Sequence, residues 1–156
     1  MSSQFQRYLK SILKDYESRS RFYTQTDAEG RETCLGLMVQ TAEETKSGES
    51  DREKEREQIE RLPVLEGLQK YASKHVLLVG RPGSGKSTAL EQLLLELVRK
   101  AQADEALPIP VLVQLKADRP ILALIRETLR RHRLLLKDND CVDELLFEGK
   151  LLLLSN

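Results

Sequence analysis

The sequence has few of the residues that characterise small proteins stabilised by disulfide bonds or by bound metal ions. It contains two cysteines, Cys34 and Cys141, two histidines, no tryptophan and only 4% aromatic residues. Neither cysteine has a second cysteine or a histidine at metal-ligand spacing, which excludes a zinc finger, and two distant cysteines do not make a disulfide framework. We therefore predict two reduced thiols in a cytoplasmic protein and assign them no role.

An excess of charge of either sign and long apolar runs are also missing. The 25 basic and 25 acidic residues cancel, whereas a dedicated nucleic-acid or membrane-surface binder carries a basic excess. No apolar run approaches the roughly 18 residues of a membrane span, and the N-terminus has no apolar segment of a secretory signal. The length of 156 residues predicts one domain, or one domain with a small appendage. The balanced charge and the short apolar runs predict that neither nucleic acid nor a membrane is a partner.

The chain divides into three segments by composition. Residues 1–40 form an N-terminal helical appendage, in which one apolar stripe predicts a helix over 3–22. A short strand is also possible over Cys34–Val39, where Gly36 weakens the pattern. Residues 41–61, with seven consecutive charges at 51–57, are predicted to be a solvated helix or a linker. The stripe consists of Phe5, Tyr8, Leu9, Ile12, Leu13 and Tyr16.

Residues 62–156 alternate between apolar strands and amphipathic helices. The strands are predicted at His75–Val79, Ile109–Leu115 and Leu151–Leu154. Because they are apolar throughout and separated by helices, they predict an α/β fold with a parallel sheet covered by helices. The helices are indicated by Pro63 with Val64, Leu65, Leu68 and Tyr71; by Leu90, Leu93, Leu94, Leu97 and Val98; by Asp118 and Pro120 with Ile121, Leu124, Ile125 and Leu129; and by 140–148 before Gly149.

A phosphate-binding loop lies between the first of these strands and its helix. Residues 80–87 match the pattern G-x-x-x-x-G-K-[ST]. Glycines let the backbone adopt positive φ and turn its N–H groups toward phosphate oxygens, and the following helix adds unpaired N–H groups. Lys86 is expected to contact the β and γ phosphates, Ser87 to bind Mg²⁺, and Thr88 to reach the α-phosphate. The predicted nucleotide-binding residues are Gly80, Arg81, Pro82, Gly83, Ser84, Gly85, Lys86, Ser87 and Thr88.

Hydrolysis needs more than this loop. A carboxylate at the end of a neighbouring strand normally holds the Mg²⁺ shell, and another group orients the attacking water. The expected place follows Leu151–Leu154, where Ser155 and Asn156 stand instead. Asp143, Glu144 and Glu148 precede that strand, so none is well placed. The sequence predicts nucleotide binding, and we assign no catalytic residue.

The segment from 62 to 156 resembles the first half of a NACHT domain, of the STAND class of P-loop NTPases, especially its bacterial and cyanobacterial versions. The resemblance rests on residues 62–90, 109–125 and 142–156. It implies a switch in which Mg-ATP or ADP controls oligomerisation. It also implies that the acidic position of the Walker B motif falls at Ser155 or Asn156, and that the family's strand beside the P-loop strand follows Asn156. The sheet would then be truncated after its third core strand, with self-association or a complementary NTPase half as possible partners.

Two other functions remain open. A small-molecule or nucleotide kinase would use the same loop, and Arg130, Arg131 and Arg133 are available to clamp an acceptor. A non-enzymatic interaction protein would act through the Phe5–Tyr16 helix and the charged 51–57 segment. A truncated relic without activity is the remaining alternative. His75 opens a predicted strand and His132 closes a predicted helix, so both are predicted to be surface residues. No Ser, Cys or Asp stands at a position that would complete a catalytic triad.

Overall fold

The computed structural model describes residues 3–20, 24–26, 32–34, 37–40, 60–72, 75–136 and 140–156. Five helices and six strands are formed by these residues. In chain order they are α1 Ser3–Ser20, β1 Thr24–Thr26, β2 Glu32–Cys34, β3 Met38–Gln40, β4 Arg61–Pro63, α2 Val64–Lys70, α3 Lys86–Ala103, β5 Ile109–Val113, α4 Ile121–Arg131, α5 Asp140–Phe147 and β6 Leu151–Ser155.

The central feature is a parallel pair of strands. Residues 109–113 of β5 lie in register with residues 151–155 of β6. Helices α4 and α5 lie between the two strands in sequence, and α3 packs against β5. Parallel strands joined through helices form the α/β arrangement of a P-loop NTPase-type domain, as the sequence predicts.

The helix boundaries follow the sequence signals closely. Pro63 stands immediately before α2, and Pro120 immediately before α4. After α5, Gly149 adopts a φ of 66°, and the Lys150 amide donates to the Leu145 carbonyl at 2.8 Å. A glycine in the left-handed region closes the helix in this way without steric cost. The predicted stripe of α3 is also confirmed, with Leu93, Leu94 and Val98 buried.

Helix α1 is part of the main hydrophobic core. Its Tyr8, Leu9 and Ile12 are at most 1% exposed and belong to one cluster with residues of α3, α4, α5 and both parallel strands. The Tyr8 hydroxyl donates to the Pro110 carbonyl at 3.0 Å, and burial raises the pKa of Tyr8 far above its ordinary value. The division at residues 40 and 61 remains a prediction, but α1 and the strand pair share one core.

We expect Tyr8→Phe to lower the free energy of unfolding by about 1–3 kcal/mol, because it leaves the buried Pro110 carbonyl without its partner. Urea denaturation measures the change. Tyr71→Phe removes a hydroxyl that donates to Glu60 in a part-buried position with access to water, so it should cost less, at most about 1 kcal/mol. Equal losses in the two variants would contradict this role for the Tyr8 hydroxyl.

Two antiparallel strand pairs precede α2. Strand β1 pairs with β2, and β3 pairs with β4. A single strand across Cys34–Val39 is therefore wrong: Cys34 ends β2, whereas Met38 begins β3. Leu37 lies outside β3, and its carbonyl accepts from the Val64 amide at the start of α2. Most of the predicted linker or solvated helix, residues 41–59, lies outside the described residues, and Arg61 belongs to β4.

The predicted strand at His75–Val79 is also wrong. These residues form no strand, and Val76, Leu77 and Val79 are 45%, 85% and 79% exposed. A strand requires a neighbour for its backbone groups. Among the described residues, β5 and β6 pair only with each other, so an apolar run of strand length is left unpaired. Leu78 alone packs inward, against the small cluster beneath α2 and α3.

His132 is a buried residue, contrary to the prediction that it lies on the surface. It is 3% exposed, and its Nδ1 lies 3.4 Å from the Ser11 hydroxyl and 3.6 Å from the Asp15 carboxylate. The Tyr8 ring meets it edge-on at 6.0 Å. The position of His132 at the end of α4 does not predict these contacts, because the partner groups belong to α1.

Within the described ranges, no helix combines the length and the apolar character that crossing a membrane requires.

Candidate phosphate-binding site

The glycine-rich loop enters α3 through two residues with positive φ. Gly83 has a φ of 76° and Gly85 a φ of 84°. The Ser84 amide donates to the Arg81 carbonyl at 3.1 Å, which closes the turn. Gly85 precedes the first helical residue, and no side chain caps the helix there. The first N–H groups of α3 therefore have no side-chain acceptor, which favours an anion at this end.

The loop is tight at Gly80. A Cβ on this residue would stand 2.7 Å from the Ser84 hydroxyl oxygen, so the Ser84 hydroxyl would have to rotate away to admit a larger residue. Glycine permits the close approach that a narrow phosphate cradle requires. The predicted requirement for glycine thus has a conformational basis at Gly83 and Gly85, whereas at Gly80 the close neighbour is a single hydroxyl.

Lys86 reaches back across the loop from the first turn of α3. Its Nζ donates to the carbonyls of Gly80 at 2.8 Å and Arg81 at 2.9 Å. These acceptors are neutral. A phosphate oxygen is charged and forms a stronger, charge-assisted bond with an ammonium group. The lysine is therefore held over the loop by bonds that a nucleotide phosphate can replace at a net gain.

Asn156 connects the end of the strand pair to this loop. Its amide N–H donates to the Val113 carbonyl at 3.0 Å, and its carbonyl accepts from the Leu115 amide at 2.8 Å. With its backbone fixed, the Asn156 side-chain Nδ2 donates to the Ser87 hydroxyl at 2.9 Å. The sequence left Ser155 and Asn156 as equal alternatives. The contact with Ser87 distinguishes them, because successive side chains on a strand point to opposite faces.

The donor atoms around Ser87 fit a nucleotide better than they fit a metal ion. The described residues include no group of three His, Cys, Asp or Glu side chains that could hold a metal. Ser87 would contribute its hydroxyl to Mg²⁺, and the carboxamide of Asn156 supplies no negative charge. Glu148 pairs with Lys150 before β6 begins, at the opposite end of the strand from Asn156. Mg²⁺ would therefore depend on the nucleotide's phosphates for its anionic ligands.

The arginines considered for a kinase lie far along α4. Arg131 pairs with Glu127 at 3.2 Å, and Arg130 and Arg133 are exposed at the same end of the helix. From Ile121 to Arg131 the helix rises about 15 Å. Since α4 begins soon after the carboxyl end of β5, its last turn points away from the edge where Asn156 meets Ser87.

One comparison with known proteins gives a match whose range includes the loop. A family model described as the FtsK/SpoIIIE family, a family of P-loop ATPases, matches residues 38–106. The fold of the described residues is of the P-loop NTPase type. No curated protein and no solved structure matches it. The matched residues begin at β3 and end after α3, so they contain the β3–β4 pair together with the loop and exclude the β5–β6 pair.

The sequence motif identifies the loop, but it does not identify two of the loop's neighbours. Asn156 was recognised only as a missing acid, and Leu37, whose side chain contacts Gly85, was not considered. Spacing within the motif contains no signal for either contact, because both partners come from distant parts of the chain.

Proposed function

We propose that this chain is the nucleotide-binding module of a NACHT-type switch, which takes Mg-ATP or ADP in the loop at residues 80–88 and acts in the cytoplasm. The support comes from the sequence resemblance over 62–156, from the P-loop ATPase match and from the parallel β5–β6 pair. In such a switch, the identity of the bound nucleotide sets the conformation or the association state of the protein.

The contact between Asn156 and Ser87 is the observation on which the proposal depends. In this proposal the Ser87 hydroxyl is the Mg²⁺ ligand, and its contact with the neutral Asn156 amide stands where hydrolysis would use a carboxylate. A carboxamide cannot take a proton from water or attract the metal as a carboxylate does. We therefore propose binding with slow or absent hydrolysis, a combination that suits a switch better than a motor or a kinase.

A nucleotide titration of the full chain tests the function. We expect saturable binding of ATP and of ADP, measured by calorimetry, with release of labelled phosphate no faster than in buffer over the same period. An acceptor panel with labelled ATP should remain unlabelled. The absence of saturable binding would refute the proposal, and transfer of phosphate to an acceptor would favour the kinase.

A further inference from the structure

The β3–β4 pair touches the phosphate-binding loop through one side chain. Leu37 lies immediately before β3, and its Cδ1 is 2.8 Å from the point where a Cβ on Gly85 would stand, with Cδ2 at 3.3 Å. The leucine methyl groups thus lie directly against the Cα of Gly85. This glycine is the left-handed residue from which α3 begins.

Leu37 is held in place from behind. Its carbonyl accepts from the Val64 amide at 2.8 Å, and the β3–β4 register begins at the next residue, where Met38 lies opposite Pro63. Leu37 and Val39 also pack against the small cluster formed by Val64, Leu68, Ala89 and Leu93. The strand pair, α2 and the first turns of α3 are therefore joined around one apolar cluster.

Leu37 contacts the loop at a glycine, the residue type with the widest range of backbone conformations. Gly85 can adopt many backbone conformations, since glycine has no Cβ. The N–H groups of the first turn of α3 point toward a phosphate only when Gly85 keeps the φ of 84° that begins the helix. An apolar side chain packed on its Cα removes the space into which that residue would otherwise move.

We propose that Leu37 is a positioning residue for the nucleotide site, which acts through Gly85 and holds the loop in its phosphate-binding form. The proposal rests on the proposed function, because it needs a nucleotide to bind. It also predicts the reverse effect. If the β3–β4 pair favours the binding form of the loop, a bound nucleotide stabilises the β3–β4 pair by the same factor.

The experiment compares two truncations within the same strand pair. Leu37→Ala removes the contact with Gly85. Val39→Ala is the matched control: Val39 Cγ2 makes the equivalent contact with Gly67 of α2, 2.8 Å from the point of its Cβ. Both variants lose apolar packing in one cluster, but only the first touches the loop.

We expect Leu37→Ala to raise the apparent Kd for ATP about tenfold, as it does when the binding-competent fraction of the loop falls to about a tenth. Val39→Ala should change the Kd less than about twofold at a similar loss of thermal stability. Leu37→Met, which restores the volume, should return the Kd to near its original value. Hydrogen exchange at the Val64 amide of the unaltered chain should slow when ATP is added.

The outcomes separate the two proposals. If the unaltered chain binds no nucleotide, the proposed function fails. If it binds, but Leu37→Ala and Val39→Ala weaken binding equally, Leu37 has only a structural role and the inference is wrong. Should Leu37→Ala fail to fold, exchange at the Val64 amide decides, and a rate unaffected by ATP overturns the inference.

Discussion

Replacing Lys86 with alanine should reduce the affinity for ATP at least 100-fold, or about 2.7 kcal/mol. In the structure, the Lys86 ammonium lies across the loop on two carbonyls, so the positive charge is already where phosphate oxygens would arrive. Removing it takes away the charge-assisted bonds of the Lys86 ammonium and leaves the N–H dipoles of α3 to hold that part of the polyphosphate. Calorimetric titration of the variant measures the loss.

Lys100→Ala is the control for charge and for helix stability. Lys100 belongs to the same helix, and its Nζ donates to Gln69 at the surface. Its removal changes the net charge equally, so it should leave the ATP affinity within a factor of about two. If both variants bind ATP as the unaltered chain does, residues 80–88 do not form a nucleotide site.

The parts of the fold that could be predicted from sequence are those in which local pattern and tertiary packing agree. The stripe of α3 is buried as its spacing predicts, and Gly149 ends α5 because only glycine adopts the left-handed conformation without cost. The glycine loop was recognisable for the same reason, since its spacing and its positive φ values are both local properties.

The segment at His75–Val79 shows why apolar character alone does not make a strand. Its five residues have the composition of a buried strand, yet pairing depends on a partner that periodicity does not specify. In the described residues, β5 and β6 pair with each other, and neither pairs with residues 75–79. The strand prediction at His75–Val79 is therefore wrong because no other strand pairs with this segment, and not because its residues have a low propensity for strands.

The same distinction explains His132 and Asn156. His132 follows the last residue of α4 and stands between two arginines, and it is buried beside Tyr8 and Ser11, more than 100 positions away. Asn156 meets Ser87, which lies 69 positions earlier. Contacts over such distances are set by how the helices cover the strands, so the sequence could indicate the chemistry of these residues but not their neighbours.

Asn156→Asp should make ATP binding strongly dependent on Mg²⁺. The quantity to compare is the Kd for ATP in EDTA divided by the Kd with excess Mg²⁺, and we expect this ratio to rise about tenfold, or about 1.4 kcal/mol. Without metal, a carboxylate beside Ser87 repels the polyphosphate and weakens binding. With metal, the carboxylate becomes an anionic partner for the Mg²⁺ shell, so both changes increase the ratio.

Ser155→Asp adds the same charge one residue earlier and should leave the ratio nearly unchanged. Strand alternation directs adjacent side chains to opposite faces, and the Ser87 contact belongs to Asn156. A larger ratio for Ser155→Asp than for Asn156→Asp would show that Ser155 is the residue at the acidic position. The Asn156 amide would then have no role at the metal site, and the proposed slow hydrolysis would have to be explained by Ser155 instead.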